Sequence, residues 1–410
     1  MPKKRHRSSR EPSVERCVGC NEAWRRPIPD IDQELAPALG NADYMRLTSN
    51  FIDRLRDQRR RVDAAYEDWK HRHSFCHRPA SPQSFGWTED HVVLESSEED
   101  ILEAVNPLGH GSLGVVEEVR RIGGYFATFV RKRVRLPPRK KDAAAYLKFV
   151  EGEARTLRSL VHLHIVTLVG SYEDRKQPAR PSYCLLMAPV GDNDLKTLLS
   201  IVGEDDMAPE DSIYWRSCML EWMACLASAL KYMHASGIRH QDIKPSNIIH
   251  KGNHVLFSDF SSSSSFKIGH TTSTGNPAHS TPMYGAPEVT WDRGRHGLAT
   301  DIFALGCVFS DMLTVTGGRA VQDFQDHLRN NDEAAAIHSD SLLRYSQNVP
   351  AIRSWFADSH IFNAVISPML QLDRKMRTTA DEVLQALIRN DCCDMSCSCL
   401  QDMNVQEEPR

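Results

Sequence analysis

The chain has 410 residues, 41% hydrophobic and 25% charged, which is ordinary for a globular protein and ample for a sizeable core. Lys and Arg number 50 against 54 Asp and Glu, a formal net charge of −4 that excludes nucleic-acid wrapping or membrane adhesion driven by overall charge. No uninterrupted apolar run approaches the roughly 18 residues of a membrane span, and the first residues lack a secretory apolar segment, so an intracellular protein with reduced thiols is expected.

In chain order, residues 1–40 begin with five basic side chains (Lys3, Lys4, Arg5, Arg7, Arg10) and then turn Pro-rich and polar, the composition of a disordered tail. The basic cluster resembles a nuclear-import patch, so the expected location is cytoplasmic with the nucleus as the alternative. Within residues 41–75, Tyr44, Leu47, Phe51, Leu55, Val62, Tyr66 and Trp69 recur at helical spacing, with charges on the other faces. This predicts an amphipathic helix that packs on the rest of the chain or docks a protein partner. Residues 76–99, with Pro79, Pro82, Gly86 and an acidic run at Glu98–Asp100, read as a linker. Residues 100–390 read as one compact unit. Short β-like segments such as 125–134 and 182–187 dominate to about residue 188, and helices take over from about 191. Leu220, Met223, Leu226, Leu230 and Met233 mark one buried helical face, and Ile302 to Leu313 another. Strands followed by helices make an α+β, two-lobed arrangement rather than an alternating βαβ sheet. Residues 391–410 form an acidic, Cys-rich tail.

Three groups of residues carry chemistry. The first is Gly109-His110-Gly111-Ser112-Leu113-Gly114-Val115-Val116, where glycines permit tight turning and let backbone N–H groups approach phosphate oxygens. A dinucleotide fold needs a helix directly afterward. Here a hairpin follows instead, with Gly123-Gly124 as its turn. The second group is Lys132 on the next strand and Glu153 on a helix about twenty residues later. The third is His240-Gln241-Asp242-Ile243-Lys244-Pro245-Ser246-Asn247, followed by the short strand Val255–Ser258 and Asp259-Phe260-Ser261. Carboxylates, an amide and a lysine around one turn are the ligand types that magnesium and phosphate chemistry use.

The ordered set resembles the eukaryotic protein kinases, whose signature is a Gly-rich loop, a strand Lys, H-R-D-L-x-x-x-N, D-F-G and A-P-E. Ala286-Pro287-Glu288, Asp301 in Thr300–Gly306, and Arg377 before a final helix extend the match. The hinge Met187-Ala188-Pro189-Val190 is similar to that of some fungal protein kinases. The resemblance implies a β-rich N-lobe and a helical C-lobe, ATP and Mg2+ as cofactors, and protein substrates. It implies that Lys132 holds the α- and β-phosphates and pairs with Glu153. Asp242 would accept the hydroxyl proton, Lys244 would contact the transferring phosphoryl group, and Asn247 and Asp259 would hold magnesium. Leu108, Gly109, Gly111, Gly114, Val116, Val130, Met187, Ala188, Val190 and Ile249 would line the nucleotide site. Glu288 and Arg377 would form a buried structural ion pair. Lys244, and Thr281 before Pro282-Met283-Tyr284, resemble the serine/threonine pattern.

The departures matter as much. Gln241 replaces the Arg of H-R-D, which receives an activation-segment phosphate, so activity independent of phosphorylation at Thr271, Thr272, Ser273 or Thr274 is expected. Ser261 replaces the Gly of D-F-G, at a cost in turn freedom. Together they keep open the alternative of a catalytically weak, kinase-like scaffold. Arg131 occupies a strand position where a buried aliphatic is expected, with its stem on apolar surface and its head in water. Cys17 and Cys20 with His71, His73, Cys76 and His77 match structural zinc spacing poorly and read as free cysteines and histidines. Cys184, Cys218, Cys225 and Cys307 lie in hydrophobic patterns and read as small apolar side chains. Cys392, Cys393, Cys397 and Cys399 crowd the tail, where lipid or metal are the options.

Overall fold

A computed structural model of the protein describes residues 60, 91–95, 101–110, 114–122, 128–137, 140–176, 181–204, 207–265, 272–274, 282–290, 295–331, 343–390, 392 and 397–401. The helix expected within 41–75 lies outside these apart from Arg60, which is helical and exposed.

The first part is a six-stranded sheet. Its strands are β1 (His91–Leu94), β2 (Leu102–His110), β3 (Gly114–Arg121), β4 (Thr128–Arg135), β5 (Thr167–Asp174) and β6 (Ser182–Ala188), in the order β1-β5-β6-β4-β3-β2. β1 runs parallel to β5, pairing His91 with Ser171 and Leu94 with Asp174; the other pairings are antiparallel. The segment read as a linker over 76–99 therefore contributes an edge strand. Four residues with one buried side chain carry too little alternation to announce a strand.

Successive side chains of a strand face opposite sides of a sheet, so each strand here feeds two cores. On one face Val134, Tyr183 and Leu185 pack with Val150 and Ala154 of helix α1 (Lys140–Ser159). On the other, Leu102, Val119, Phe129, Val169, Tyr172, Cys184 and Leu186 pack together with Leu94 of β1. β6 is central, which is why six of its seven residues are buried.

The helical part follows: α2 (Leu195–Gly203), α3 (Pro209–Ala235), α4 (Pro287–Thr290), α5 (Leu298–Thr316), α6 (Val321–Asn330), α7 (Val349–Trp355), α8 (Ser367–Met369), α9 (Ala380–Arg389) and α10 (Ser398–Gln401). Pro209 opens α3, where its missing N–H costs no helical hydrogen bond. Leu220, Met223, Leu226, Leu230 and Met233 are all buried in one core with Phe303, Leu305, Val308, Phe309 and Met312 of α5. By length and composition α5 could cross a membrane, but 89% of its apolar window is covered by its neighbours. It is the central helix of this core and carries Asp301 and Asp311 within it.

Short strands between β6 and α5 position the chemistry. β7 (Asn193–Asp194), β9 (Ile248–Lys251) and β10 (His254–Phe257) make a small sheet, and β8 (Ile238–Arg239) pairs with β11 (Ser264–Ser265). β12 (Thr272–Thr274) pairs with β13 (Arg295–Gly297).

Candidate active site

β3 and β4 pair so that Val116 lies opposite Lys132, and β4 and β6 so that Val130 lies opposite Met187. Paired residues share a face, and Val130 and Lys132 are two apart, so Val116, Val130, Lys132 and Met187 all point to one side of the sheet. α1 crosses that side and brings in Glu153. Lys132 Nζ donates to Glu153 Oε1 at 2.8 Å and Oε2 at 3.0 Å, and to Asp259 Oδ1 at 2.7 Å. Lys132 and Glu153 are each 3% exposed. Burial alone would lower the Lys132 pKa, but the two carboxylates outweigh it and hold the ammonium well above the usual lysine range. Burial likewise opposes ionisation of Asp259, and Lys132 overcomes it, leaving that carboxyl well below its usual range. The charges of Lys132 and Asp259 are therefore fixed at neutral pH, while burial raises the Glu153 pKa against the pull of Lys132.

The loop from β8 to β9 supplies the second half. Asn247 Nδ2 donates to Asp242 Oδ2 at 2.9 Å and to the Asp242 carbonyl at 2.8 Å. Both amide hydrogens are thereby spent on Asp242, which turns the amide oxygen away from it. Lys244 Nζ lies 2.8 Å from Asp242 Oδ2. Asp259 has φ 55, a left-handed conformation, and accepts from Ser261 N at 3.4 Å as it caps the turn Phe260–Ser262. Phe260 is buried with its ring 4.9 Å from that of His240, whose Nε2 pairs with the Ser258 carbonyl at 3.1 Å. Ser261 is in ordinary right-handed backbone, because Gln241 and Asp259 are the only non-glycine residues of positive φ among those described. The expected cost of serine in place of glycine is thus not incurred in this conformation.

The other described residues expected at a nucleotide site lie on β2, β3, β4, β6, β9 and the connection that follows β6. Leu108 is 40% exposed, and Gly109 pairs with Val116. A Cβ built on Gly109 meets nothing within 4 Å, whereas one on Gly114 would collide with the Arg133 carbonyl oxygen. Gly114 is therefore required by the sheet itself, and Gly109 leaves open space that a ligand could approach. Gly111 lies outside the described residues. Met187 is buried, and Val130 and Ile249 pack half-buried against the same core. Ala188, at the end of β6, and Val190, on the connection to the helical part, are half-buried. A Cβ on neighbouring Gly191 would come 3.1 Å from Ile249 Cβ, so that connection passes directly over Ile249.

Two features differ from the sequence expectation. Arg131 does not send its head to water: it is 7% exposed, with Nε donating to Glu117 Oε1 at 3.0 Å and Nη1 to the Tyr172 hydroxyl at 3.1 Å. Its partners sit on the flanking strand β3 and on β5, which the sequence of β4 cannot reveal. The sequence marks Asp301 as part of a motif but gives it no role. Its Oδ2 accepts from His240 N at 3.0 Å and Oδ1 from Gln241 N at 2.8 Å, and His234 Nε2 is 3.1 Å away. Gln241 has φ 68, so Asp301 holds the loop in a strained left-handed turn immediately before Asp242. An acid in the first turn of the otherwise apolar α5 was the available signal. The expected structural ion pair is present and bidentate: Arg377 Nη1 and Nη2 meet Glu288 Oε1 and Oε2 at 2.6 and 2.7 Å.

Comparison with known protein families matches residues 102–387 to the one described as "Protein kinase domain". The chain belongs to the protein kinase family. The two-lobed kinase fold accounts for the sheet, the helical core and the site between them. Among relatives, it is 35% identical over 190 residues to the serine/threonine-protein kinase RUNKEL of Arabidopsis thaliana, covering 46% of this chain and 12% of that one. It is 28% identical over 219 residues to the putative mitogen-activated protein kinase 14C of Drosophila melanogaster, 52% of this chain and 56% of that one. To the Drosophila melanogaster mitogen-activated protein kinase p38a it is 24% identical over 309 residues, 70% of this chain and 78% of that one. The chain thus spans well under two thirds of the first two relatives.

Proposed function

We propose that this kinase transfers the γ-phosphoryl group of Mg-ATP to serine or threonine hydroxyls of protein substrates. The observation that carries the reading is the convergence of Lys132 on Glu153 and Asp259 beside the Asp242–Asn247–Lys244 cluster. Phosphoryl transfer asks chiefly for positioning and charge neutralisation, and these are the groups that supply both. The open space at Gly109 and the hard carboxylate and amide oxygens of Asp259 and Asn247 fit a phosphate chain and a magnesium ion. Magnesium, when bound, neutralises charge on the phosphates and orients them.

In this reading Lys132, held in place by Glu153, binds the α- and β-phosphates. Asp242 orients the substrate hydroxyl and takes its proton as the hydroxyl oxygen bonds to the γ-phosphorus. The bond from that phosphorus to the bridging oxygen breaks and ADP leaves. Lys244, 2.8 Å from Asp242, offsets the charge on the transferring group. The preference for serine or threonine is supported by Lys244 and by the likeness to the serine/threonine-protein kinase RUNKEL. Transfer of labelled γ-phosphate to a generic protein substrate, with Asp242→Asn as the dead control, tests the proposal. Nucleotide binding without any transfer by the parent chain would overturn it in favour of a kinase-like scaffold, the alternative that Gln241 keeps open.

Gln241 also bears on regulation. A neutral amide cannot neutralise a phosphate, so activity is proposed not to depend on activation-segment phosphorylation. Phosphatase treatment, and alanine at Thr271, Thr272, Ser273 and Thr274, are expected to leave the rate within about twofold, about 0.4 kcal/mol in barrier. Loss of activity under both treatments would refute this.

A further inference from the structure

Two of the tail cysteines come to rest far from where the sequence leaves them. Cys397 and Cys399 lie against Cys225 of α3 and His164, which is in the loop between α1 and β5. The four donor atoms, three Sγ and one imidazole nitrogen, all lie within 4.8 Å of one another. His164 and Cys225 are 1% and 5% exposed, so the cluster is closed on its inner side.

The imidazole is already oriented. His164 Nδ1 lies 2.7 Å from the Val255 carbonyl, which can only accept, so Nδ1 carries the proton. Nε2 is left with its lone pair directed at the sulfurs, 3.2 Å from Cys397 Sγ. This is the tautomer and the backbone support that a metal-binding histidine takes. The tail is seated as well: Leu400 is 1% exposed, and Ser228 Oγ donates to the Cys399 carbonyl at 3.3 Å. Cys225 and Ser228 are three apart on α3, so one helix face receives the tail.

We propose that His164, Cys225, Cys397 and Cys399 hold a zinc ion in a closed tetrahedral Cys3His site that fastens the C-terminal tail to the kinase core. Zinc favours four nitrogen and sulfur donors in this geometry, with donor-to-donor edges of roughly 3.5–3.8 Å, so the donors need only small inward shifts. Four protein ligands leave no open position, which makes the site structural. Binding displaces the thiol protons to solvent. The Cys225 thiol is then more than the small apolar side chain its helix pattern suggested. The cluster was hidden in the sequence because its ligands come from three segments, with His164 and Cys397 separated by 233 positions.

The site lies behind the catalytic residues. The His164 carbonyl accepts from Phe257 N at 2.9 Å, two residues before Asp259, and the loop carrying His164 follows the helix that carries Glu153. Zinc therefore braces the segment between these two residues.

The full chain, purified reduced and loaded with zinc, tests this. About one zinc per chain is expected by elemental analysis. Cobalt(II) in its place should give the sulfur-to-cobalt charge-transfer and d–d absorption of a tetrahedral thiolate site. Cys397→Ser with Cys399→Ser should abolish both signals, while Cys17→Ser with Cys20→Ser should leave them intact. A strong chelator should lower the thermal midpoint of the parent, with recovery on adding zinc, and should not move that of the tail double variant. Less than about a tenth of an equivalent of zinc with all thiols reduced would overturn the proposal. So would retention of zinc by the tail variant, a metal other than zinc after loading, or a native disulfide between Cys225 and a tail cysteine.

Discussion

Two glycines of the same loop illustrate how different the demands on single residues are. At Gly114 a methyl group would run into the Arg133 carbonyl, a backbone atom of the paired strand that cannot move aside without breaking the β3–β4 ladder. Gly114→Ala is expected to destabilise the protein by about 1–3 kcal/mol, the range for forcing atoms into a packed site, read as a lower midpoint in urea unfolding. At Gly109 the same methyl meets nothing, so Gly109→Ala should keep the unfolding midpoint within about 0.5 kcal/mol of the parent. Its effect should appear instead in the KM for ATP, as the methyl occupies the approach to the phosphates. A Gly109→Ala protein with a lowered midpoint and unchanged KM would place the glycine in the fold rather than the site. Much of this scale was legible: Lys132, Glu153, Asp242, Asn247 and Asp259 stand in a recognisable order, and each ends within hydrogen-bond reach of another. Arg131 was not, because a residue's environment depends on strands that pair with it from elsewhere. Its Glu117 partner is opposite it in register, and Tyr172 is two strands away.

Between elements, the clearest test is the contact of α4 with the turn before α9. Arg377 reaches Glu288 with both terminal nitrogens and also donates to the carbonyls of Gln371, Ala299 and Leu372 at 2.6, 3.0 and 3.1 Å. The guanidinium is fully covered, so its partner cannot be lost cheaply. Arg377→Ala is expected to cost about 3–5 kcal/mol, chiefly because the Glu288 carboxylate is left buried without its cation. The double variant Arg377→Ala/Glu288→Ala should cost less than the sum of the two single changes, and additivity within about 0.5 kcal/mol would deny the coupling. Elements with long, regular patterns were the ones the sequence disclosed. α3 shows its buried face every three or four residues, and α5 is apolar almost throughout. β1 has no such pattern; it exists because β5 offers a free edge to pair with. Asp301 belongs here too, as a side chain on α5 whose purpose lies in a loop sixty positions earlier.

At the scale of the whole molecule, Asp311 joins three separate segments and gives the fold a pH dependence of known sign. It lies fully buried in α5, accepting from the Tyr284 hydroxyl at 2.8 Å and the Tyr345 hydroxyl at 2.6 Å. Tyr284 belongs to the stretch leading to Ala286-Pro287-Glu288, and Tyr345 to the turn before α7, so one carboxyl ties both to the central helix. Burial pushes Asp311 up to about 7, although the two tyrosine hydroxyls pull it back down. A group whose folded pKa is raised binds its proton more tightly in the folded chain. Its contribution is fully present below the unfolded value near 4 and is lost as pH rises toward about 7, on the order of 4 kcal/mol in all. Asp259 and Asp301 act in the opposite sense, since both are held below their usual range, Asp259 by Lys132 and Asp301 by hydrogen bonds led by His234. Their contributions are present above the unfolded value and fail in acid. Asp311→Asn keeps the shape and an acceptor oxygen but removes the titration. The thermal midpoint of this variant relative to the parent should therefore rise steadily as pH is taken from about 4 to about 8, with the parent favoured most at the acid end. A difference that stays constant across that range would mean that Asp311 titrates at an ordinary value and that the tyrosines, not burial, govern its charge.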